Sequence, residues 1–272
     1  MKISVIIPTY NYAQFLPQAI DSVLAQSVKP LEIIVADDGS TDNTADVVAA
    51  YGPQVRYLHY RHQGVYSVRQ ALLSEIKGDW FFNLDADNFI EKDFLAQSIA
   101  IAQNSDDKCA FIYPDRITFG AYSRFTRVPE FDINLFKKKN FVDMNALIRT
   151  AAAQELAFDP AFNDGWGDYD FFLRLSKAGY RGVAQHTSPL HYRVHSASIT
   201  AATQTQLDKK HILMERITRK HSDFFTKKET DAALNYFSRA AARRYHVSTL
   251  VWERRYFAAL RQMLIYNFRL FG

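Results

Sequence analysis

The sequence predicts an α/β fold with a helical extension at its C-terminal end. Three observations carry that expectation. Short β-branched or aromatic runs alternate with helix-spaced segments over the first hundred residues, as in an α/β sheet. Polar clusters follow three of those runs directly: Pro8-Thr9-Tyr10-Asn11, Asp37-Asp38-Gly39-Ser40 and Asp85-Ala86-Asp87. From about residue 205 onward the chain reads as helical.

Residues 4–7 and 32–36 read as strands, and Phe15, Leu16, Ala19, Ile20, Val23 and Leu24 recur between them at helical spacing. Ser40-Thr41-Asp42-Asn43-Thr44 is rich in N-cap residues and precedes a second helix over 45–51. Residues 55–59 and 80–84 are two further strands, the latter the apolar run Trp80-Phe81-Phe82-Asn83-Leu84. A third helix spans 64–76 and stops at Gly78, and a fourth lies around 91–103. The pattern weakens over 114–150 into charged, aromatic loops. It returns as a helix over 164–178, with Phe171, Phe172, Leu173 and Leu175 apolar and Gly179 as its stop. Residues 183–195 read as strand and loop.

At 272 residues the chain can form one large domain with an appendage. The expected division is a body over 1–205, in halves of about 1–113 and 114–205, and an extension over 206–272. Hydrophobic content of 48% and charge of 23% are those of a soluble globular protein. No apolar stretch approaches the roughly 18 to 20 residues that span a bilayer. The first residues, Met1-Lys2-Ile3-Ser4-Val5-Ile6-Ile7-Pro8, are too short for a signal-peptide core and meet a proline at once. A cytoplasmic location is expected. The lone Cys109 excludes an internal disulfide and sits in an apolar run that assigns it to the core.

The net charge of +4 hides an asymmetry: residues 207–272 carry 14 Lys+Arg against 6 Asp+Glu (+8), and residues 1–206 carry 19 against 23 (−4). In the basic part Leu250, Val251, Phe257, Leu260, Leu264, Phe268 and Phe271 fall near helical spacing, with Arg254, Arg255, Arg261 and Arg269 offset from them. Such a stripe packs on the body or on a second copy of the chain, or lies on an anionic membrane surface at the inner face of the cell membrane. Packing is the expectation. Nucleic acid is not an expected partner, because no recognition motif accompanies the charge.

The chemistry concentrates at the three polar clusters. Ligands of open α/β sheets bind outside the carboxyl ends of the strands, so all three should line one crevice. Side chains at i and i+2 of an extended segment point the same way, which puts Asp85 and Asp87 together. Two such carboxylates repel unless a cation or donors lie between them. A hard divalent ion held by one or two carboxylates plus substrate phosphates is the usual Mg2+ or Mn2+ arrangement. The plain alternative is a solvated turn in which Asp87 or Asn88 caps the helix around 91–103. No G-x-x-x-x-G-K-[ST] and no G-x-G-x-x-G opens a helix after a strand. Phosphates would therefore meet a metal, helix N-termini or basic side chains such as Arg69. The absence of H-E-x-x-H and C-x-x-C argues against a zinc enzyme. His59, His62, His186 and His191 lack partners at metal spacing and read as surface or packing residues. Lys137-Lys138-Lys139 reads as a solvated loop.

Four segments together are similar to the family 2 glycosyltransferases of GT-A fold. They are Val5-Ile6-Ile7-Pro8-Thr9-Tyr10-Asn11, Ile33-Ile34-Val35-Ala36-Asp37-Asp38-Gly39-Ser40-Thr41-Asp42, Leu84-Asp85-Ala86-Asp87 and Gly167-Asp168-Tyr169-Asp170-Phe171-Phe172-Leu173-Arg174. The resemblance ends near Tyr192-Arg193-Val194-His195 and covers roughly residues 1–200. It implies a Rossmann-like, nucleotide-binding mixed sheet flanked by helices, with a nucleotide-binding first half and an acceptor-shaping second half. It implies an inverting sugar transfer from a nucleotide-diphospho-sugar, UDP-linked by preference, to a polysaccharide, lipopolysaccharide or glycolipid acceptor. Pro8, Thr9 and Tyr10 then resemble the segment lining the base, and Asp38 the acid accepting a hydrogen bond from uracil. Arg69 resembles the basic residue beneath the nucleotide, and Asp85 with Ala86 the ribose side of the D-x-D element. Asp87 resembles the direct ligand of Mn2+ or Mg2+, His195 a histidine near the metal and diphosphate, and Asp168 the catalytic base.

Inverting transfer needs the acceptor hydroxyl deprotonated opposite the leaving diphosphate, which suits a carboxylate base. Asp168 stands where a helix dipole favours its charge; simple N-capping is its plain alternative, and Asp170 the alternative base. Many relatives carry Glu-Asp where this chain has Gly167-Asp168, and 114–165 has no clear family counterpart. A nucleotidyltransferase would open with a Gly-rich, Arg-containing loop in place of Pro8-Thr9-Tyr10-Asn11-Tyr12. A non-catalytic carbohydrate-binding or scaffold protein would not need Asp38, Asp85, Asp87 and Asp168 intact.

Overall fold

Residues 1–195 and 207–235 are described in a computed structural model. The chain divides into two units, Met1–Ala201 and Ala202–Gly272. In the first, β1 (Ile3–Thr9) is buried at every position and central. It pairs in parallel with β2 (Glu32–Asp37) on one side and β4 (Trp80–Asn83) on the other, and β3 (Arg56–His59) extends the sheet beyond β2. A parallel sheet needs cover on both faces. Alternate residues supply it: Ile3, Val5 and Ile7 share one core with Leu16, Ala19, Ile20 and Val23 of α1 (Leu16–Leu24). On this face lie also Val48 of α2 (Thr44–Ala49) and Phe94 and Leu95 of α4 (Phe94–Gln103).

Because the chain moves from β1 outward to β2 and β3 before returning to β4 on β1's other side, the crossovers diverge between β1 and β4. That point is the expected crevice of an open α/β sheet. All three polar clusters sit at this edge, since β1, β2 and β4 run in parallel.

Among the described residues, with β5 at Phe89–Ile90, β6 at Cys109–Gly120, β7 at Arg124–Thr126, β8 at Leu147–Arg149 and β9 at Arg181–Val194, the sheet order is β3-β2-β1-β4-β8-β6-β9-β5, with β7 paired to β6. The second half is antiparallel where it joins the first: β8 (Leu147–Arg149) lies between β4 and β6 (Cys109–Gly120), antiparallel to both. β6 runs parallel to the long β9 (Arg181–Val194), which pairs with β5 (Phe89–Ile90). β7 (Arg124–Thr126) folds back on β6. α3 (Val65–Leu72) packs on β1 and β2, and α6 (Thr150–Leu156) on β4, β8 and α7 (Gly167–Lys177). Cys109 is fully buried.

Several expectations change. Residues 114–150 are not loops: they hold the end of β6, β7, α5 (Ile133–Lys138) and β8. Lys137 and Lys138 form the last turn of α5, where cations oppose the carbonyl end of the dipole. The third helix is shorter than 64–76. Gly64 enters it at φ +94° and Leu73 caps it. The segment after β4 is not extended: Asn88 N–H bonds Asp85 O at 3.0 Å, closing a turn. Neither Asp87 nor Asn88 caps α4, whose N-cap is Asp93 with β5 interposed.

In the second unit α8 (Leu207–Lys220) is helical, as are residues 227–235. The stripe from Leu250 to Phe271 lies outside the described residues. No helix among the described residues is long and apolar enough to cross a membrane.

Candidate functional site

The end of β2 sets two carboxylates to different tasks. Asp37 turns inward and accepts from Ser40 N–H (2.8 Å), Ser40 Oγ (2.6 Å) and the Tyr57 hydroxyl, which closes the loop. Asp38 faces the 60–64 segment: its Oδ1 accepts from Gln63 N–H (2.8 Å) and its Oδ2 from Gly64 N–H (2.9 Å). Gly39 between them has φ +80°, and a Cβ there would stand 2.8 Å from His62 N, so only glycine fits. Asn11, also left-handed at φ 54°, ties the end of β1 to this loop. Its Oδ1 accepts from Thr41 N–H (2.7 Å), and its N–H donates to Ser40 Oγ (2.8 Å).

The β1 end therefore lies against Asp38. Pro8 is buried in β1 opposite Ala36 and shapes the strand end. Thr9 Oγ1 is buried with no hydrogen-bond partner among the described residues. Tyr10 is 42% exposed and presents a ring face.

The Asp85 turn is held from inside. Asp85 Oδ1 accepts from Arg69 Nη2 (2.7 Å) and Asn83 Nδ2 (3.2 Å), and Oδ2 from Asn145 Nδ2 (2.8 Å). Asn145 Oδ1 in turn accepts from Asp85 N–H at 2.8 Å. Arg69 is buried, donates Nε–H to Asn83 Oδ1 (3.0 Å), and lies 4.9 Å over the Tyr66 ring. Burial raises the Asp85 carboxyl above its ordinary value; Arg69 opposes the shift and the Asp143 charge adds to it. Ala86 is buried in the core, which turns its two neighbours outward.

Asp87 meets the end of β9. His195 Nε2 lies 2.9 Å from Asp87 Oδ2. Arg193 donates Nε–H to Asp87 O (3.0 Å) and its backbone N–H to Asn88 Oδ1 (2.9 Å). The Arg193 guanidinium sits over Phe15 (4.7 Å) and Phe119 (4.4 Å), a stacked cation. Burial and the Asp85 charge push the Asp87 carboxyl up to about 6, against the pull of His195. Burial, with the Asp87 and Asp85 charges, pushes the Tyr12 phenol up to about 12. Among the described residues no three His, Cys, Asp or Glu side chains gather at metal distance. Asp87 and His195 could therefore hold a cation only if a ligand such as a diphosphate completed the shell. That is how Mg2+ and Mn2+ are commonly held.

Asp168 stands in the first turn of α7, yet it is not the N-cap: Trp166 is, at φ 60° and without a side-chain cap bond. Asp168 Oδ1 accepts from Tyr169 N–H (2.7 Å) and Oδ2 from Asn140 Nδ2 (3.3 Å). Burial, then the Asp143 charge, push its carboxyl up to about 6. Asp170 is fully buried and bonded to Arg174 Nε at 2.9 Å, a structural pair.

Gly167 has a local cause. A Cβ there would meet the Tyr66 ring at 2.5 Å, while the Tyr66 hydroxyl accepts from Asp168 N–H at 2.8 Å. The ring occupies the space an acidic side chain would need. Gly167→Ala should cost about 1–3 kcal/mol by overpacking, read as a lower melting temperature; an unchanged one would mean Tyr66 is free to move.

The structure thus links Asp85, Arg69, Tyr66 and Asp168 through successive contacts, and places Asp87 and His195 beside Asp85. Sequence reasoning missed Asn83, Asn140, Asp143, Asn145, Tyr66 and the role of Arg193. Only Asn83, two residues before Asp85, and Arg193, two before His195, carried a spacing signal. His186 is also more than packing: it bridges Asp115 and Glu130 at 3.0 Å each.

The model of glycosyl transferase family 2 matches residues 4–156, and the chain belongs to that family. The match runs through most of 114–165, correcting the expectation that this segment lacks a family counterpart. An uncharacterized glycosyltransferase of Rickettsia typhi is 28% identical over 233 residues, 80% of this chain and 72% of that protein. The chondroitin synthase of Pasteurella multocida is 32% identical over 193 residues, 65% of this chain but 19% of the synthase. Among solved structures, S. aureus TarS 1–349 in complex with UDP-GlcNAc aligns with a TM-score of 0.69 at 18% identity, covering 87% of this chain and 71% of that one. The mannosyltransferase PcManGT of Pyrobaculum calidifontis, in complex with GDP-Man and Mn2+, aligns at 0.64 with 17% identity, covering 96% and 84%. The fold is GT-A, and the nucleotidyltransferase alternative falls away.

Proposed function

We propose that this family 2 glycosyltransferase moves a sugar with inversion from a nucleotide-diphospho-sugar, UDP-linked by preference, to a hydroxyl of a saccharide or lipid-linked acceptor. The observation that carries the reading is the convergence at one sheet edge of a base slot (Thr9, Tyr10, Asp38), an Arg69–Asp85 pair (2.7 Å) whose guanidinium is buried and the Asp87–His195 pair (2.9 Å), with Asp168 linked to Asp85 through Arg69 and Tyr66. TarS with UDP-GlcNAc and PcManGT with GDP-Man and Mn2+ support the donor class. The chondroitin synthase supports a saccharide acceptor.

In this reading Asp38 accepts from the base, Tyr10 stacks on it, and Asp85 accepts from the ribose. Arg69 holds Asp85 in place from below. Asp87 and His195 hold Mn2+ or Mg2+, which when bound neutralises charge developing on the departing diphosphate. Asp168 removes the acceptor proton as the acceptor oxygen bonds the anomeric carbon and the carbon–diphosphate bond breaks. A carboxylate pushed up to about 6 accepts a proton near neutral pH more readily than an ordinary one.

Thermal stabilisation by UDP-, GDP- and TDP-sugars with Mn2+ tests the donor class. One nucleotide series should raise the melting temperature by several degrees at concentrations far above Kd. Indifference to every nucleotide-sugar would remove the reading.

A further inference from the structure

His62 is a surface residue, as its spacing suggests, and it also reaches Asp38 and Tyr10. Its Nδ1 lies 3.0 Å from Asp38 Oδ2 and 3.0 Å from Asp38 O. Both are acceptors, so Nδ1 carries a proton. Its ring stacks on Tyr10 with centroids 4.2 Å apart and planes 21° from parallel. A flat ring on the Tyr10 face, with an N–H directed at Asp38, is the set of contacts a pyrimidine base would make there.

The surroundings fix the backbone and leave the side chain movable. Gln63 N–H and Gly64 N–H are bonded to Asp38 at 2.8 and 2.9 Å, and Gly39 packs against His62 N and Cα. The His62 side chain is nevertheless 56% exposed. Rotation about its side-chain bonds can carry the ring into solvent with little loss of packing.

We propose that the His62 imidazole competes with the nucleobase for the Asp38–Tyr10 slot, so that donor binding requires the ring to swing out. This rests on the nucleotide-sugar reading of the crevice. His62 is then an affinity-setting residue. A slot occupied by the imidazole for most of the time lowers apparent affinity by the fraction left open. Removing the ring opens the space 3.0 Å from Asp38 Oδ2, takes a donor from Asp38 O and uncovers Tyr10.

The test is calorimetric titration of UDP with Mn2+ into the full chain and into His62→Ala and His62→Phe. His62→Ala should bind UDP roughly 3- to 10-fold more tightly than the native protein, which corresponds to slot occupancies of about 70–90%. His62→Phe keeps a ring for Tyr10 but no donor for Asp38, and should fall between the two. Melting temperatures should stay close to native, because two backbone bonds still hold Asp38. Equal or weaker binding by His62→Ala would overturn the proposal, making the ring a bystander or a wall of the base site, while the nucleotide reading stands. Absence of binding by all three proteins, with UDP, GDP and TDP alike, would overturn the nucleotide reading and this proposal with it.

Discussion

Asp168→Asn is expected to lower turnover by roughly two orders of magnitude or more, the scale of a lost general base, while donor affinity changes little. Asn keeps the shape and can still accept from Tyr169 N–H, which bonds Asp168 Oδ1 at 2.7 Å. What it loses is the proton acceptor. The native enzyme should also show an acid limb. As pH falls through about 6 the base protonates, and kcat/KM should fall about tenfold per pH unit below that point. Asp168→Asn should flatten this limb on its residual activity. Steady-state rates from pH 5 to 8 check both. Native turnover in the variant would remove Asp168 from the proton transfer. Asp170 is a poor substitute, because Arg174 already binds its fully buried carboxylate.

Asp87→Ala is the second large effect. The carboxyl is buried beside the Asp85 charge and pushed up to about 6, so folding raises the cost of its ionised form. For a raised carboxylate the folded state holds the proton more firmly than the unfolded chain. Its contribution to stability is therefore present at low pH and is lost as pH rises from the ordinary carboxylate range through about 6. A cation at Asp87 relieves that cost, so cation binding should strengthen as pH rises through the same window. Asp87→Ala should cost roughly 10²–10³ in turnover, the several kcal/mol that a bound cation supplies to a leaving phosphate. The variant should not melt earlier than native protein above pH 7 without metal, because a strained carboxylate has been removed. Measured turnover and melting curves separate the roles: an early-melting variant would make Asp87 a structural residue first.

The parallel half of the fold was legible because its signals are local. β1 and β2 are continuous β-branched runs, α1 repeats its apolar residues at helical spacing, and each cluster of interest directly follows a strand. The second half depends on distant partners. β6 continues past Tyr113 through Pro114, Asp115 and Arg116, residues that look like a loop until Asp115 accepts from Val128 N–H (2.7 Å) and His186 (3.0 Å). β8 is three residues long and carries no period.

The site divides the same way. Asp38, Asp85, Asp87 and Asp168 stand in recognisable segments. Their uncharged supports do not: Asn145 lies 60 residues from Asp85 and Tyr66 lies 102 from Asp168. A turn at 85–88 replaces the extended segment expected there, and the Asp85 charge still acts on Asp87. Asp85 and Asp87 are neighbours because Ala86 is buried between them, and an extended backbone was not required.

In the proposed mechanism a nucleotide diphosphate is held at the β1–β4 crevice through a cation at Asp87. Titrating UDP calorimetrically into the native protein, once with Mn2+ and once with EDTA, tests it most directly. Binding should be at least several-fold tighter with Mn2+, and an Asp87→Ala variant should bind UDP equally in both buffers. Equal affinity of the native protein with Mn2+ and with EDTA would contradict it.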